Sequence, residues 1–267
     1  TIRLGVSTCL LGQNVRYDGG HKRDRFLIDT LGEFVEWVPV CPEVEIGLSI
    51  PREAMHLEGD PENPRLVTIK TGKDYTERMR TWAQERLDEL AEANLHGFVF
   101  KSRSPSSGLY RVKVYDQHGM PSRVGTGIFP SEVMRRFPLL PLEEDGRLHD
   151  MGLRENFIDR IFAYYRWTCM LQEDPTPGGI VAYHTAHKLT MMAHSPQHYR
   201  RMGPLVAEAG KLPWPELRDR YGELLMEGLE VMVTRGKHTN VLQHLMGFLK
   251  DHLSREDKAE LLGLIED

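Results

Sequence analysis

Three short stretches hold the side chains that could do chemistry. Lys101–Gly108 reads K-S-R-S-P-S-S-G and follows the apolar run Gly97–Phe100. Two cations, four hydroxyls, a proline and a glycine at the end of a buried strand make a tight loop rich in donors and positive charge, suited to an anion or a polar ligand. Ser7-Thr8-Cys9-Leu10-Leu11-Gly12 follows the apolar run from Ile2, and Cys41-Pro42-Glu43 follows Val38–Val40. Each of these cysteines sits just past a strand. Thiolates are soft ligands suited to zinc or iron–sulfur, but two do not close such a site, and no C-x-x-C spacing exists to suggest a zinc ribbon. A small buried hydrophobe is the ordinary reading of either cysteine alone. Cys169, in mid-helix sequence, reads as core. Glu43 and Glu45 flank the second cysteine. On an extended segment alternate residues point opposite ways, so at most one faces the site, where it could donate or accept protons. Arg16, Tyr17, Asp18, His21, Lys22 and Arg23 crowd the loop after Cys9 and could form a polar wall.

Elements must bring these loops together. Residues 2–7 and about 35–40 read as strands, with a helix over about 25–32 between them that ends at Gly32. Asp74–Asn94 carries the clearest amphipathic stripe of the first half and leads into strand 97–100, as in a βαβ unit. Residues 56–66 read as surface turns, Val67–Ile69 as an edge strand, Val112–Tyr115 as a strand and Val124–Phe129 as a glycine-rich piece lying close to something. A short helix is expected from Pro130 through Phe137. Pro138–Gly146 reads as a linker. In a parallel α/β sheet the carboxyl ends of the strands converge on one edge, where ligands bind. The expectation is therefore a Rossmann-like α/β domain over 1–147, its three loops meeting at that edge, followed by an all-α domain over 148–267.

Composition narrows the classes. The 267 residues are 40% apolar with net charge −5. Up to residue 148 there are 20 basic against 22 acidic residues, and after it 14 against 17, so any nucleic-acid contact must be a local patch. Three cysteines form no disulfide framework and fit a reducing cytoplasm. No apolar run approaches the ~18 residues of a membrane span. Thr1 and the helical ending at Glu266-Asp267 suggest a trimmed chain.

The second half has helical spacing over 153–171, 180–194, 199–209, 217–234, 240–253 and 257–265. Histidines are concentrated there, 8 against 4. His184, His187, Met191, His194 and His198 would share an arc of about 80° if one helix ran through Ser195. Pro196 favours a break, with Ser195 capping a new helix. A metal at His184 and His187 lacks nearby acids. A polar face for the other domain or a phosphate backbone is the better reading, with Lys188, Arg200, Arg201, Arg235 and Lys237 as local positive charge.

The motifs S-T-C-L-L-G-Q-N-V-R-Y-D-G-G, C-P-E-V-E-I-G-L-S-I-P-R and K-S-R-S-P-S-S-G resemble the signature loops of the thiouracil desulfidase family. A-Y-H-T-A-H-K-L-T-M-M-A-H-S-P-Q-H-Y and H-T-N-V-L-Q-H-L-M-G resemble the helical domain often fused to it, a combination similar to the tRNA 4-thiouridine desulfidases. The resemblance implies a [4Fe–4S] cluster on three cysteines with one iron open. Two ligands fall on Cys9 and Cys41. The third falls on Ser107, because the family reads S-P-S-C-G where this chain reads S-P-S-S-G, and weak or absent cluster occupancy is expected. It also implies a non-redox removal of sulfur from a thiocarbonyl, with Glu43 handling protons and Ser104 assisting at the base. The helical domain would grip tRNA, with Arg16, Tyr17, Lys101, Arg103, His184, His187, Lys188, His194, Arg200 and Arg201 as candidate contacts. The alternatives are a desulfidase of free thiouracil or thionucleosides and a tRNA-binding protein without catalysis.

Overall fold

The computed structural model describes residues 1–249 and 251–266. Two compact units divide the chain, Thr1–Phe157 and Ile158–Asp267. The division falls inside a long helix, ten residues past the end of the first expected domain.

The first unit is built on a parallel sheet of four strands, β1 (Ile2–Ser7), β2 (Val35–Val40), β5 (Gly97–Phe100) and β8 (Leu142–Glu144), in the order β2-β1-β5-β8. The doubly covered centre explains the continuous apolar reading of β5, whose four residues are all buried. Phe98 and Phe100 stack at 4.1 Å, and Phe129 meets both edge-on. Each such ring contributes about 1.5–3 kcal/mol by burial. Helix α3 (Thr76–Glu92) buries Met79, Ala83, Leu87 and Leu90 at helical spacing and supplies the crossover into β5.

Two stretches depart from expectation. Pro138–Gly146 is not a linker, because β8 lies inside it and pairs with β5 from Phe98↔Leu142 to Phe100↔Glu144. Its two acids are buried, which disguised the strand as a polar connection. Nor are residues 56–66 only turns. Strands β3 (Met55–Glu58) and β4 (Arg65–Thr68) form a hairpin that joins β6 (Val112–Tyr115) and β7 (Pro121–Gly125) in a second sheet, ordered β4-β3-β6-β7. The apolar residues of β3, Met55 and Leu57, alternate with half-exposed His56 and Glu58, so one face packs on Ile46, Leu66, Met79 and Val114. Val67 and Thr68 do lie on an edge strand.

Shorter helices shift at their ends. Helix α1 (Arg25–Asp29) is capped by the Asp24 side chain, which accepts from Leu27 N, and it stops before Gly32, which lies in a separate 3-10 turn. Cys41 opens a helical turn, α2 (Pro42–Glu45), not extended chain. Helix α4 (Ile128–Arg136) starts two residues before Pro130.

The rest is helical: α5 (Met151–Glu173), α6 (Pro177–His194), α7 (Pro196–Ala207), α8 (Trp214–Glu230), α9 (Arg235–Leu249) and α10 (Arg255–Glu266). Within the second unit Trp167, Tyr183 and Tyr221 form an aromatic centre, Trp167 stacking on Tyr221 at 5.2 Å. Ser195 ends α6 and caps α7, its hydroxyl accepting from His198 N with Pro196 in the first turn. No helix among the described residues is long and apolar enough to cross a membrane.

Candidate active site

Strands β1, β2, β5 and β8 run parallel, so their carboxyl ends deliver Cys9, Cys41, the 101–108 loop and Asp145 to one edge. A cavity of about 620 Å³ opens there, lined by Cys9, Cys41, Glu43, Lys101 and the serines 104, 106 and 107. That volume suits a nucleobase-sized ligand.

The loops are fixed by their own backbone needs. Ser7 ends β1, and its hydroxyl accepts from Lys101 N at 2.9 Å. Lys101 Nζ pairs with Asp145 Oδ2 at 2.7 Å, and Asp145 Oδ1 accepts from Ser102 N. Burial alone would raise the Asp145 carboxyl, but Lys101 and Ser102 more than offset it and hold it low. The neighbouring Glu144 accepts from Leu109 N and Tyr110 N, closing the far end of the loop. Its carboxyl is raised, chiefly by burial. Gly108 donates to Ser104 O at 2.7 Å, and Gly127 donates to Gly108 O at 2.7 Å. A Cβ on Gly127 would sit 2.9 Å from the Ser106 carbonyl carbon, so the glycine-rich piece lies against this loop and needs its missing side chain.

Cys41 lies near enough to disfavour ionisation of the Cys9 thiol. Burial pushes Cys9 up to about 11, with Lys101 pulling it down and Cys41 pushing it further up. Cys41 is raised too, again mainly by burial, against the lowering effect of Val44 N–H. Its Sγ contacts Val15 O at 3.9 Å. Glu43 projects into the cavity from α2. Its Oε2 accepts from Arg52 Nε at 2.6 Å and its Oε1 from the Ser106 hydroxyl at 2.7 Å. Glu45 turns away, accepting from Cys41 N at 2.8 Å and facing Arg86. One carboxylate therefore faces the site, as expected, although a helical turn and not an extended strand separates the pair. Ser104 Oγ lies 3.0 Å from Ser106 Oγ and accepts from Ser107 N at 3.2 Å.

Around the mouth, Arg16 lies 3.4 Å from Asp18 and over the Tyr17 ring. Arg103 is exposed, with left-handed backbone at φ 62°. Sequence reasoning did not assign Arg52, Ser106, Ser7 or Asp145. Arg52 was visible only as the end of a loop motif, and Asp145 sat in the supposed linker.

The helical-unit candidates do not form one face. His184 is buried and its Nδ1 meets Tyr221 OH at 3.2 Å. His194, 1% exposed, is held by Val231 O and Asp159. Both belong to the interior, which corrects the reading of a shared histidine surface. His187 stacks on Tyr183 at 4.0 Å with Nδ1 on its carbonyl, and Lys188 is half-buried. Arg200 and Arg201 are exposed, Arg201 lying 3.9 Å from Glu227.

Among the described residues no three His, Cys, Asp or Glu side chains could together hold a metal ion. Cys9, Cys41 and Ser107 all line this cavity, so its donor set is two thiols and one hydroxyl, and the thiols are the ligand type that an iron–sulfur cluster takes.

The chain is similar to several known proteins. A solved structure described as the [4Fe-4S]-dependent thiouracil desulfidase TudS is 28% identical, with a TM-score of 0.46, over 58% of this chain and 97% of its own. The uncharacterized protein YbgA of Escherichia coli (strain K12) is 31% identical over 110 residues, 40% of this chain. That match spans 64% of the relative's length. A family described only as a protein of unknown function, DUF1722, matches residues 188–267. The model of the 2-thiouracil desulfurase family matches residues 4–145, which is over half of the chain and contains every cysteine and serine that lines the cavity. This chain belongs to the 2-thiouracil desulfurase family.

Proposed function

We propose that the chain removes sulfur from a thiolated pyrimidine by hydrolysis, and that its substrate is 4-thiouridine in tRNA. The observation that carries this is the convergence of two thiols, Glu43 and the 104–107 hydroxyls on one base-sized cavity. Water oxygen bonds to the thiocarbonyl carbon, the carbon–sulfur bond breaks, and sulfur leaves as hydrosulfide. Cys9 and Cys41 would hold a [4Fe–4S] cluster, with Ser107 as a weaker oxygen donor, and the cluster when bound supplies Lewis-acid chemistry toward that sulfur. Glu43, fixed by Arg52, receives the proton lost by the attacking water. Ser104, on the cavity wall, assists at the base from its place beside it. Lys101 holds the loop through Asp145.

A base in a polynucleotide must leave its stack to enter. Supporting the polymer reading are the exposed groups at the mouth, Tyr17, Lys22 and Arg103, which can stack on or pair with flanking nucleotides. Arg200 and Arg201 offer a second cationic point on the helical unit, one consistent with a tRNA-binding role for residues 148–267. The test is loss of the thiocarbonyl absorbance from thiolated tRNA and from free 2-thiouracil, run in parallel across a salt series. A phosphate grip makes the tRNA rate fall steeply with salt while the free-base rate stays flat. Turnover of the free base alone would leave a thiouracil desulfidase. Binding of tRNA without turnover would leave a binding protein.

A further inference from the structure

The sequence points to Glu43 and Ser104 as separate actors, but the structure joins them through a residue neither role assigns. Ser106 is 1% exposed and its Oγ donates to Glu43 Oε1 at 2.7 Å. A serine hydroxyl has one proton, so Ser106 cannot also donate to Ser104, 3.0 Å away. Ser104 is therefore the donor in that pair, and Ser106 accepts. Ser104 in turn accepts from Ser107 N at 3.2 Å. The other carboxylate oxygen of Glu43 is taken by Arg52 Nε at 2.6 Å, in an ion pair whose side chains are 6% and 13% exposed. Arg52 is itself anchored, its Nη2 donating to Val15 O at 2.8 Å and its backbone N to Tyr17 O at 2.8 Å. Both oxygens of Glu43 thus already carry donors, and every proton in the string points toward the carboxylate.

We propose that Ser106 is a relay and positioning residue, linking Ser104 on the cavity wall to Glu43, so that Glu43 takes up a proton through two hydroxyls while Arg52 holds it in line. This rests on the hydrolytic reading above. In the step, attacking water gives a proton to Ser104 Oγ as its oxygen bonds to carbon. The Ser104 proton passes to Ser106 Oγ, and the Ser106 proton to Glu43 Oε1. Glu43 ends as the neutral acid, both hydroxyls are regenerated, and the stored proton is available to the departing hydrosulfide. No oxidant or reductant enters.

Two readouts test it, one of them independent of turnover. With carbon-13 glutamate, the Glu43 carboxylate band is identified in the infrared by its loss in E43Q. Ser106→Ala should shift that band, Ser106→Thr should restore it, and Ser104→Ala should perturb it more weakly through the shared hydroxyl. With 2-thiouracil as substrate and S107C carrying a reconstituted cluster as the reference, adding S106A should lower kcat about 100-fold and change KM less than about twofold. The solvent-isotope proton inventory should turn from curved to linear, and S106T should recover most of the rate. Circular dichroism melts confirm that S106A and S106T fold. An unmoved Glu43 band in S106A, or full kcat with an unchanged proton inventory, overturns the relay. No turnover by reconstituted S107C alongside a responsive band would overturn the hydrolytic reading and leave the Ser106–Glu43 link standing as a positioning contact.

Discussion

The sharpest consequence concerns position 107. Ser107 is 6% exposed on the wall shared with Cys9 and Cys41. A metal ligand here must act as an anion. A free thiol gives up its proton near pH 8.5, whereas a hydroxyl resembles water and is about seven units less acidic. At about 1.4 kcal/mol per unit, forming the alkoxide costs on the order of 10 kcal/mol more than forming a thiolate. The other corners have little to spare. With Cys9 pushed up to about 11, making its thiolate at pH 7 costs about 5 kcal/mol before any metal arrives. Ser107→Cys should therefore raise the iron and acid-labile sulfide retained after anaerobic reconstitution and desalting from substoichiometric to about four of each per chain. Ser107→Ala should stay at or below the unsubstituted level. Because ligation releases protons from buried thiols, retention should also improve as pH rises from 7 to 9. Full, stable loading of the unsubstituted chain, or no gain in S107C, would refute the ligand-acidity reasoning.

Three further outcomes can be checked by denaturation. Cys9 has its folded pKa raised from 9 to about 11, so the folded state holds the proton longer than the unfolded one. That stability is complete below pH 9 and lost as pH rises through 11, about 3 kcal/mol in urea titrations, and C9A should flatten it. His96 is the mirror case: burial lowers it to about 4 while its Nδ1 accepts from Arg3 N. Its contribution is complete above pH 6.5 and lost as pH falls through 4, again by about 3 kcal/mol, and H96N should remove most of the slope. Asp145→Asn leaves Lys101 without its partner carboxylate, both side chains being largely buried. A loss of about 3 kcal/mol is expected, with faster proteolysis of the 101–108 loop.

Strand β5 was legible because its residues are apolar throughout and β1 because Ile2, Leu4 and Val6 are apolar, and the loops because cysteine, serine, proline and glycine do not continue a buried strand. Helix α3 was legible from its stripe, and the Ser195 cap from its proline. What escaped notice was hidden by polarity in the wrong place. Leu142–Glu144 looks like connection because its acids are buried by pairing, Glu144 with the backbone of Leu109 and Tyr110 and Glu143 with Arg147. The histidines of α6 looked like a surface because a sequence does not show which face of a helix its neighbours cover. Tyr221 and Asp159 absorb them from helices far away in the chain.

By itself the amino-acid order determined the ingredients: a parallel sheet feeding three polar loops, a helical second half, and two cysteines and a serine-rich turn just past the strands. Local preference and periodicity suffice for these, since each is decided within a few neighbouring residues. Only the tertiary structure decided that Glu43 sits between Arg52 and Ser106, that Asp145 anchors Lys101, and that the hydroxyls of the 104–107 turn all lead toward one carboxylate. Those pairs are separated by 9, 44 and 63 residues. Strand order and burial, which no local pattern encodes, bring them within hydrogen-bonding reach.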